Sequence, residues 1–256
     1  MRTLAPPVAE ERPTPHPRAP ARRAALLALL PALLLTLPAT AEPPADAYAA
    51  QRHALVDALR EEHDPRLSAQ ALAVMEQVPR HVFVPEDQRD EAYENRPLGI
   101  GFGQTISQPY IVALMTSLAR PARDQRILEI GTGSGYQAAV LGAFGAQVYS
   151  VEIIEPLARA AAPRLQAWPN VHTRVGDGYY GWPEHAPFDA IVVTAGADSI
   201  PPPLVRQLAS GGRLVMPVGS PWADQRLVLL EKDSSGQVAS HDLLPVRFVP
   251  LLRGER

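Results

Sequence analysis

The amino-acid sequence predicts an α/β protein with a doubly wound, mostly parallel sheet and an N-terminal helical cap. Three observations support this prediction. Short apolar runs alternate with helical patterns after residue 125, a glycine-rich turn follows the first run, and amphipathic helical spacing fills much of residues 42–96. Alternating strands and helices are typical of parallel sheets, because each return to the same sheet edge requires a crossover connection.

The cap is predicted from two stretches in which apolar residues recur at three- and four-residue steps. These residues are Tyr48, Leu55, Val56 and Leu59, followed by Leu72, Val74, Met75 and Val78. Ser68 precedes the second stretch and marks a helix start. Residues 97–109 are rich in glycine and polar residues, which indicates an exposed functional loop leading into a helix over 109–118.

The strands of the sheet are predicted from short, partly β-branched apolar runs. They lie at 126–130, 147–152, 171–175, 188–194, 213–218 and 226–231. A last run, 246–252, is predicted to add one more strand. The domain therefore covers 42–256, with the cap at 42–96 and a ligand-binding α/β core at 97–256.

Residues 1–41 are interpreted as a signal-like or disordered leader. The first 23 residues hold five Arg and two Glu and show no apolar period. Residues 24–41 contain no charge and a Leu-rich core, and they end in Ala-Thr-Ala, which is the layout of a secretory signal peptide. An export signal or anchor and an uncleaved extension are both compatible with this pattern.

Composition excludes several kinds of site. The formal net charge is −3, and without the leader's five Arg and two Glu the remainder sums to −6, so no basic stripe is left for nucleic acid. The chain has no cysteine, which excludes disulfides, thiolate zinc sites and a cysteine nucleophile. The seven histidines show no ligand spacing, so no metal is expected.

The strongest motif is ILEIGTGSGY at residues 127–136, where an apolar run turns through Gly131, Gly133 and Gly135 into a helical pattern. Glycines let a ligand approach the backbone at a helix N-terminus. The spacing Gly-x-Gly-x-Gly lacks the extra residue of dinucleotide-binding turns. The glycines alone fit a nucleotide-like ligand and a purely structural turn.

Acidic residues follow the next two predicted strands. Glu152 ends the second run, where an acidic side chain can accept both hydroxyls of a ribose, although a solvated charge is the simpler interpretation of this residue alone. Asp177, between Gly176 and Gly178, suits the amino edge of adenine, and an ordinary Asp-Gly turn fits equally well. Ligands of open α/β sheets bind at the carboxyl ends of strands, so the three sites together predict one adenosine pocket.

Several segments match one family in order: VPRHVFVPE (78–86), GQTISQPYIVALM (103–115), LEIGTGSGY (128–136), GDG (176–178), PFDAIVVTA (187–195), GGRLVMPVG (211–219) and VRFVPL (246–251). By these segments the chain resembles the protein-L-isoaspartate O-methyltransferases of the S-adenosylmethionine-dependent superfamily. The glycine loop is shared by methyltransferases generally, whereas the TIS-x-P segment narrows the match to this family. The resemblance implies a Rossmann-like methyltransferase sheet.

The resemblance also implies S-adenosyl-L-methionine as the cofactor and assigns site residues. Ser107 matches the serine regarded as the active-site residue. The expected cofactor-binding residues are Gln104, Thr105, Ile106, Glu129, Gly131, Thr132, Gly133, Gly135, Glu152, Asp177 and Gly178.

The implied reaction transfers a methyl group to the free carboxylate of L-isoaspartyl and D-aspartyl residues in damaged proteins and peptides, which starts their repair. A carboxylate with a pKa near 4 is ionised at neutral pH, so no general base is needed and Ser107 would orient it by a hydrogen bond. Two alternatives stay open: a small-molecule methyltransferase, and a non-catalytic module that binds S-adenosylmethionine or acts as a chaperone.

The expected partners are isoaspartyl proteins and peptides, and we expect a monomer without a membrane span in the core domain. The cytoplasm is favoured because the cofactor is made there. A periplasmic or membrane-anchored protein, held through residues 24–41, is the alternative.

Overall fold

Helices and strands alternate along most of the computed structural model, which describes residues 47–220 and 224–254. The α-helices in this range are α1 (Ala49–Glu61), α2 (Ala69–Gln77), α3 (Pro109–Ala119), α4 (Tyr136–Ala143), α5 (Glu155–Leu165) and α6 (Pro202–Gln207). The strands are β1 (Leu98–Gly101), β2 (Gln104–Ile106), β3 (Arg126–Ile130), β4 (Gln147–Glu152), β5 (Val171–Val175), β6 (Phe188–Val193), β7 (Leu208–Val218), β8 (Gln225–Lys232) and β9 (Val238–Val246). The predicted leader, 1–41, lies outside the described residues, so its boundary stays a prediction.

The main sheet has the order β5-β4-β3-β6-β7-β8-β9 within the described residues. The strands from β5 to β7 in this order pair in parallel, whereas β8 pairs antiparallel with both β7 and β9. The chain runs from β3 outward to β5 and then returns to β6 on the other side of β3. This arrangement confirms the predicted doubly wound, mostly parallel fold and places its topological switch point between β3 and β6.

The central strands are apolar because both faces of the sheet are covered. In β3 only Arg126 and in β6 only Asp189 are exposed, while Ile127, Leu128 and Ile191 are fully buried. Each such side chain contributes about 1.5–3 kcal/mol when it leaves water. Asp189 accepts a hydrogen bond from the backbone N–H of Arg126 at 2.8 Å, so its carboxylate ties the starts of β6 and β3 together.

The helical cap forms as the spacing predicts. Leu55, Val56 and Leu59 are buried along α1, and α2 begins where Ser68 Oγ accepts a hydrogen bond from the backbone N–H of Ala71 at 3.1 Å. Such an N-cap is worth about 1 kcal/mol. Helix α2 contacts α1, α3 and α4, so the cap is fixed beside the glycine loop that precedes α4.

Three local predictions are corrected by the structure. The predicted loop 97–109 contains the hairpin of β1 and β2. Strand β7 begins at Leu208, five residues before the predicted 213. The predicted strand 246–252 is wrong: the last strand of the described residues is β9, which ends at Val246, and residues 247–254 are irregular apart from an isolated bridge at Pro250. The apolar residues of this segment line cavities, which explains an apolar pattern without strand pairing.

Candidate active site

The predicted site residues meet at the carboxyl ends of the parallel strands. The glycine loop, residues 131–135, follows β3, Glu152 ends β4, and residues 176–178 follow β5. Thr194 follows β6 on the other side of the switch point. The topology therefore brings together segments that are far apart in sequence, as expected for a ligand crevice in an open α/β sheet.

Glycine is required at two positions of the crevice, for two separate reasons. Gly131 has a φ of +94°, in the region that side chains disfavour, and a Cβ there would lie 2.5 Å from Thr194 Oγ1. Gly178 has an ordinary φ, yet a Cβ would lie 2.3 Å from Ile130 Cγ2. Conformation at Gly131 and close packing at both positions thus exclude a side chain at these two points of the crevice.

Glu152 is fixed by the backbone around it. Its side chain is buried, Oε2 accepts a hydrogen bond from Gly133 N at 2.8 Å, and Oε1 accepts one from Ile154 N at 2.9 Å. A carboxylate offers about four lone-pair sites, so about two stay available to further donors. The two remaining acceptor sites of the fixed Glu152 carboxylate match the two adjacent hydroxyl donors of a ribose.

A chain of buried hydroxyls lies beneath the loop. Thr132 Oγ1 and Ser150 Oγ are 2.5 Å apart, and Ser150 donates to Glu129 Oε2 at 2.5 Å. Burial raises the pKa of Glu129 to about 8, although the Ser150 hydrogen bond lowers it, so this carboxyl is mostly neutral at pH 7. Glu129 is fully buried, and its side chain lines none of the cavities described below.

Asp177 contacts the C-terminal end of the described chain. Its Oδ1 accepts a hydrogen bond from Tyr179 N at 3.0 Å. Its Oδ2 accepts one from Arg253 Nε at 3.0 Å and one from Gly254 N at 3.1 Å. The Asp177 carboxylate, which is predicted to contact adenine, therefore also binds Arg253, a basic residue that no sequence motif indicated.

Three cavities adjoin one another along the crevice. The loop cavity, about 50 Å³, lies between the glycine loop and residues 249–252. The middle cavity, about 30 Å³, extends below the loop toward Ser107, and the open cleft, about 750 Å³, lies beyond it. Thr105 and Thr194 line all three, so these residues mark the junction between the inner and outer spaces.

Thr194 was not identified from the sequence. Its single hydroxyl proton is shared between Ile130 O at 3.0 Å and Gly131 O at 2.8 Å, and this links the ends of β3 and β6. The sequence does indicate this position, because Thr194 is the first polar residue after an apolar strand. It therefore lies at the carboxyl end of that strand, where ligands bind.

Comparison with known proteins identifies the family of this chain. The model of the protein-L-isoaspartate(D-aspartate) O-methyltransferase family matches residues 50–256. The chain belongs to this family. A protein-L-isoaspartate O-methyltransferase 1 of Cupriavidus necator is 52% identical over 254 residues, covering 94% of this chain and 96% of that protein. A protein-L-isoaspartate O-methyltransferase of Opitutus terrae is 61% identical over 184 residues, covering 71% and 78%.

A solved protein-L-isoaspartate O-methyltransferase has the same fold. It superposes with a TM-score of 0.70 at 30% identity, covering 78% of this chain and 65% of that structure. Family and fold together make this chain an S-adenosylmethionine-dependent protein-L-isoaspartate(D-aspartate) O-methyltransferase.

The crevice of the methyltransferase suits an adenosyl group in its chemistry. A rigid carboxylate at Glu152, glycines that expose the backbone of the loop, and the apolar side chains of Val151 and Leu251 surround the loop cavity. The adenosyl group needs polar contacts at its ribose and apolar contacts at its ring faces, and both are present.

Ser107 lies where the open cleft and the middle cavity meet. It is half-buried, and its hydroxyl makes no hydrogen bond within residues 47–220 and 224–254. It does not cap α3, because the N-cap residue is Gln108. Of its predicted neighbours in the site, Gln104 lines the loop cavity, Ile106 lines the middle cavity and Thr105 lines all three cavities.

Tyr110 borders the open cleft and is tied to the cap. Its hydroxyl donates to Asp64 Oδ2 at 2.5 Å, and Arg66 Nη2 donates to the same hydroxyl at 3.0 Å. Burial and the Asp64 hydrogen bond raise the pKa of Tyr110 to about 12. The Arg66 guanidinium holds the pKa of Asp64 well below its usual range. This network fixes the wall of the cleft opposite residues 244–249.

Proposed function

We propose that the methyltransferase binds its methyl donor in the loop and middle cavities and its carboxylate acceptor in the open cleft. The methyl group then passes at the junction between Thr105 and Thr194. The observation that supports this arrangement is that these two residues line all three cavities. A donor and an acceptor that enter from opposite sides would meet there.

Eight of the eleven predicted cofactor residues, those from Glu129 onward, have a role in this arrangement. Glu152 accepts the ribose hydroxyls, and Asp177 beside Gly178 contacts the adenine ring. The loop that contains Gly131, Thr132, Gly133 and Gly135 supports the amino-acid part of the donor. Glu129 acts indirectly, because its buried carboxyl holds Ser150 and thereby Thr132.

The chain's residues orient the reactants and exclude water. When bound, S-adenosylmethionine supplies an electrophilic methyl group. An oxygen of the acceptor carboxylate would take this methyl group as the S–C bond breaks, and no proton transfer would be required of a side chain. Ser107 donates a hydrogen bond that aims the carboxylate along the line of attack. Alignment of this kind supplies about 7–11 kcal/mol.

The acceptor is a peptide that bears an isoaspartyl or D-aspartyl residue. The cleft of about 750 Å³ is open to solvent and large enough for an extended segment of chain. Arg247, an exposed residue of this cleft, is a candidate partner for the substrate carboxylate.

The protein acts as a monomer in the cytoplasm, where the donor is made, and export or anchoring through residues 24–41 is the alternative. No helix in residues 47–220 or 224–254 has the length and hydrophobicity needed to cross a membrane. N-terminal sequencing of the mature protein separates these cases: a start at Glu42 means export, and an intact leader favours the cytoplasm.

Labelled donor and matched isoaspartyl and aspartyl peptides test the function. We expect base-labile methyl ester on the isoaspartyl peptide alone. Ser107→Ala should lower kcat with little change in donor affinity, while Ser240→Ala, on the exposed strand β9, serves as the control. Label on neither peptide would reject the proposal, and label on small acids alone would favour the small-molecule alternative.

A further inference from the structure

The C-terminal segment, residues 249–254, forms one wall of the loop cavity. Val249 O accepts a hydrogen bond from Gly196 N at 2.8 Å, and Leu251 N donates to Gly196 O at 2.7 Å. These two bonds attach the segment to the loop after β6. Residues 249–252 then pass over the cavity opposite Gly133 and Glu152.

Arg253 secures the far end of this segment. Its Nε pairs with Asp177 Oδ2 at 3.0 Å, and the backbone N–H of Gly254 donates to the same oxygen at 3.1 Å. The guanidinium carbon lies 3.6 Å from the centre of the Tyr179 ring, and Nη2 donates to the Tyr180 hydroxyl at 3.3 Å. One side chain thus makes an ion pair, a cation–π contact and a hydrogen bond on the loop after β5.

The loop cavity is too small for an adenosyl group while this wall is in place. Its volume is about 50 Å³, whereas pockets for ligands of this size measure about 300–1,000 Å³. The walls built from β3 and β4 belong to the close-packed central sheet, so moving them would cost much free energy. The irregular segment 249–252 is held by two backbone hydrogen bonds and Arg253, so it is a wall that can move.

We infer that Arg253 is a positioning residue of the donor site: through Asp177 it fixes residues 249–252 as the outer wall of the adenosyl cleft. The pair opens when the nucleoside enters or leaves, and it re-forms over the bound nucleoside with residues 249–252 displaced outward. This inference rests on the proposed placement of the donor in the loop cavity. It also gives Asp177 a second role, because the carboxylate predicted to contact adenine is the anchor of the wall.

Binding kinetics of S-adenosylhomocysteine, measured by surface plasmon resonance, test the inference. Arg253→Ala should raise both the association and the dissociation rate, by roughly five- to thirtyfold, because the wall opens more often. Arg253→Lys keeps the charge and should give an intermediate result. Arg60→Ala is the matched control: Arg60 pairs with Asp57 and Glu76 on the cap, and its side chain is 42% exposed against 40% for Arg253.

Hydrogen exchange supplies a second measurement without turnover. The amide of Leu251, which donates to Gly196 O, should exchange faster in Arg253→Ala than in the wild type or in Arg60→Ala. Faster dissociation with an unchanged association rate would overturn the inference and leave Arg253 as a simple contact. Unchanged association and dissociation rates in Arg253→Ala would show that Arg253 has no role in donor binding. A wild-type protein that fails to bind S-adenosylhomocysteine would instead reject the proposed function itself.

Discussion

The neutral carboxyl of Glu129 makes the stability of the fold depend on pH, and Glu129→Gln should remove this dependence. The pKa of Glu129 is about 8 in the folded protein and 4.5 as the ordinary value. The folded state therefore binds more protons than the unfolded state between these values, and stability falls as the pH rises through this window. Between pH 6 and pH 8.5 the loss from this one group is about 2–3 kcal/mol.

Urea denaturation of the protein without donor at pH 6 and pH 8.5 provides the measurement. Glutamine has the shape of the neutral acid and can still accept the Ser150 hydrogen bond, so Glu129→Gln should lack this part of the pH dependence. The difference between the two proteins cancels the titration of other groups. If the wild type loses no more stability than the variant over this range, Glu129 is ionised in the folded protein and does not contribute this pH dependence.

Three further predictions concern the walls of the site. Gly178→Ala should lower the free energy of unfolding by about 1–3 kcal/mol, because the added Cβ meets Ile130 Cγ2 at 2.3 Å; a urea midpoint equal to that of the wild type would contradict this. Thr194→Val removes the hydroxyl bond to Gly131 O and should weaken S-adenosylhomocysteine binding in calorimetry by up to about tenfold, whereas Thr194→Ser should bind normally. Asp64→Asn should cost about 1–3 kcal/mol at pH 7 by releasing Tyr110. Because the pKa of Asp64 is lowered in the fold, this cost should shrink as the pH falls below the ordinary value of 3.8, and a difference that is constant with pH would refute the pairing.

The sequence predicts the fold well where burial determines the pattern. Strands β3 and β6 lie between covered faces, so their apolar runs identify them directly. Strand β9 was missed because its first five residues, 238–242, are exposed and give no apolar signal. The segment 246–252 was mistaken for a strand because residues that line a cavity are as apolar as residues that form a sheet.

Single residues of the site were likewise predictable only where they form part of a sequence pattern. The glycine loop and Glu152 were found because they occupy consecutive strand ends within a recognisable motif. Thr194 is one polar residue after an apolar strand, and Arg253 is one charge near the C-terminus, so neither has a pattern of its own. Only the packing of the chain shows that Arg253 reaches Asp177 across 76 positions.

The exposure of β9 has a consequence for how copies of the protein behave beside one another. A strand at the rim of a sheet offers unpaired N–H and C=O groups that can nucleate aggregates. Here His241 faces Glu231 and Asp242 faces Arg226 on the neighbouring strand, so charged and ionisable groups border this rim. A second chain that docked edge to edge would have to dehydrate these groups. The polar residues that leave β9 without an apolar pattern therefore oppose edge-to-edge aggregation of the protein in concentrated solution.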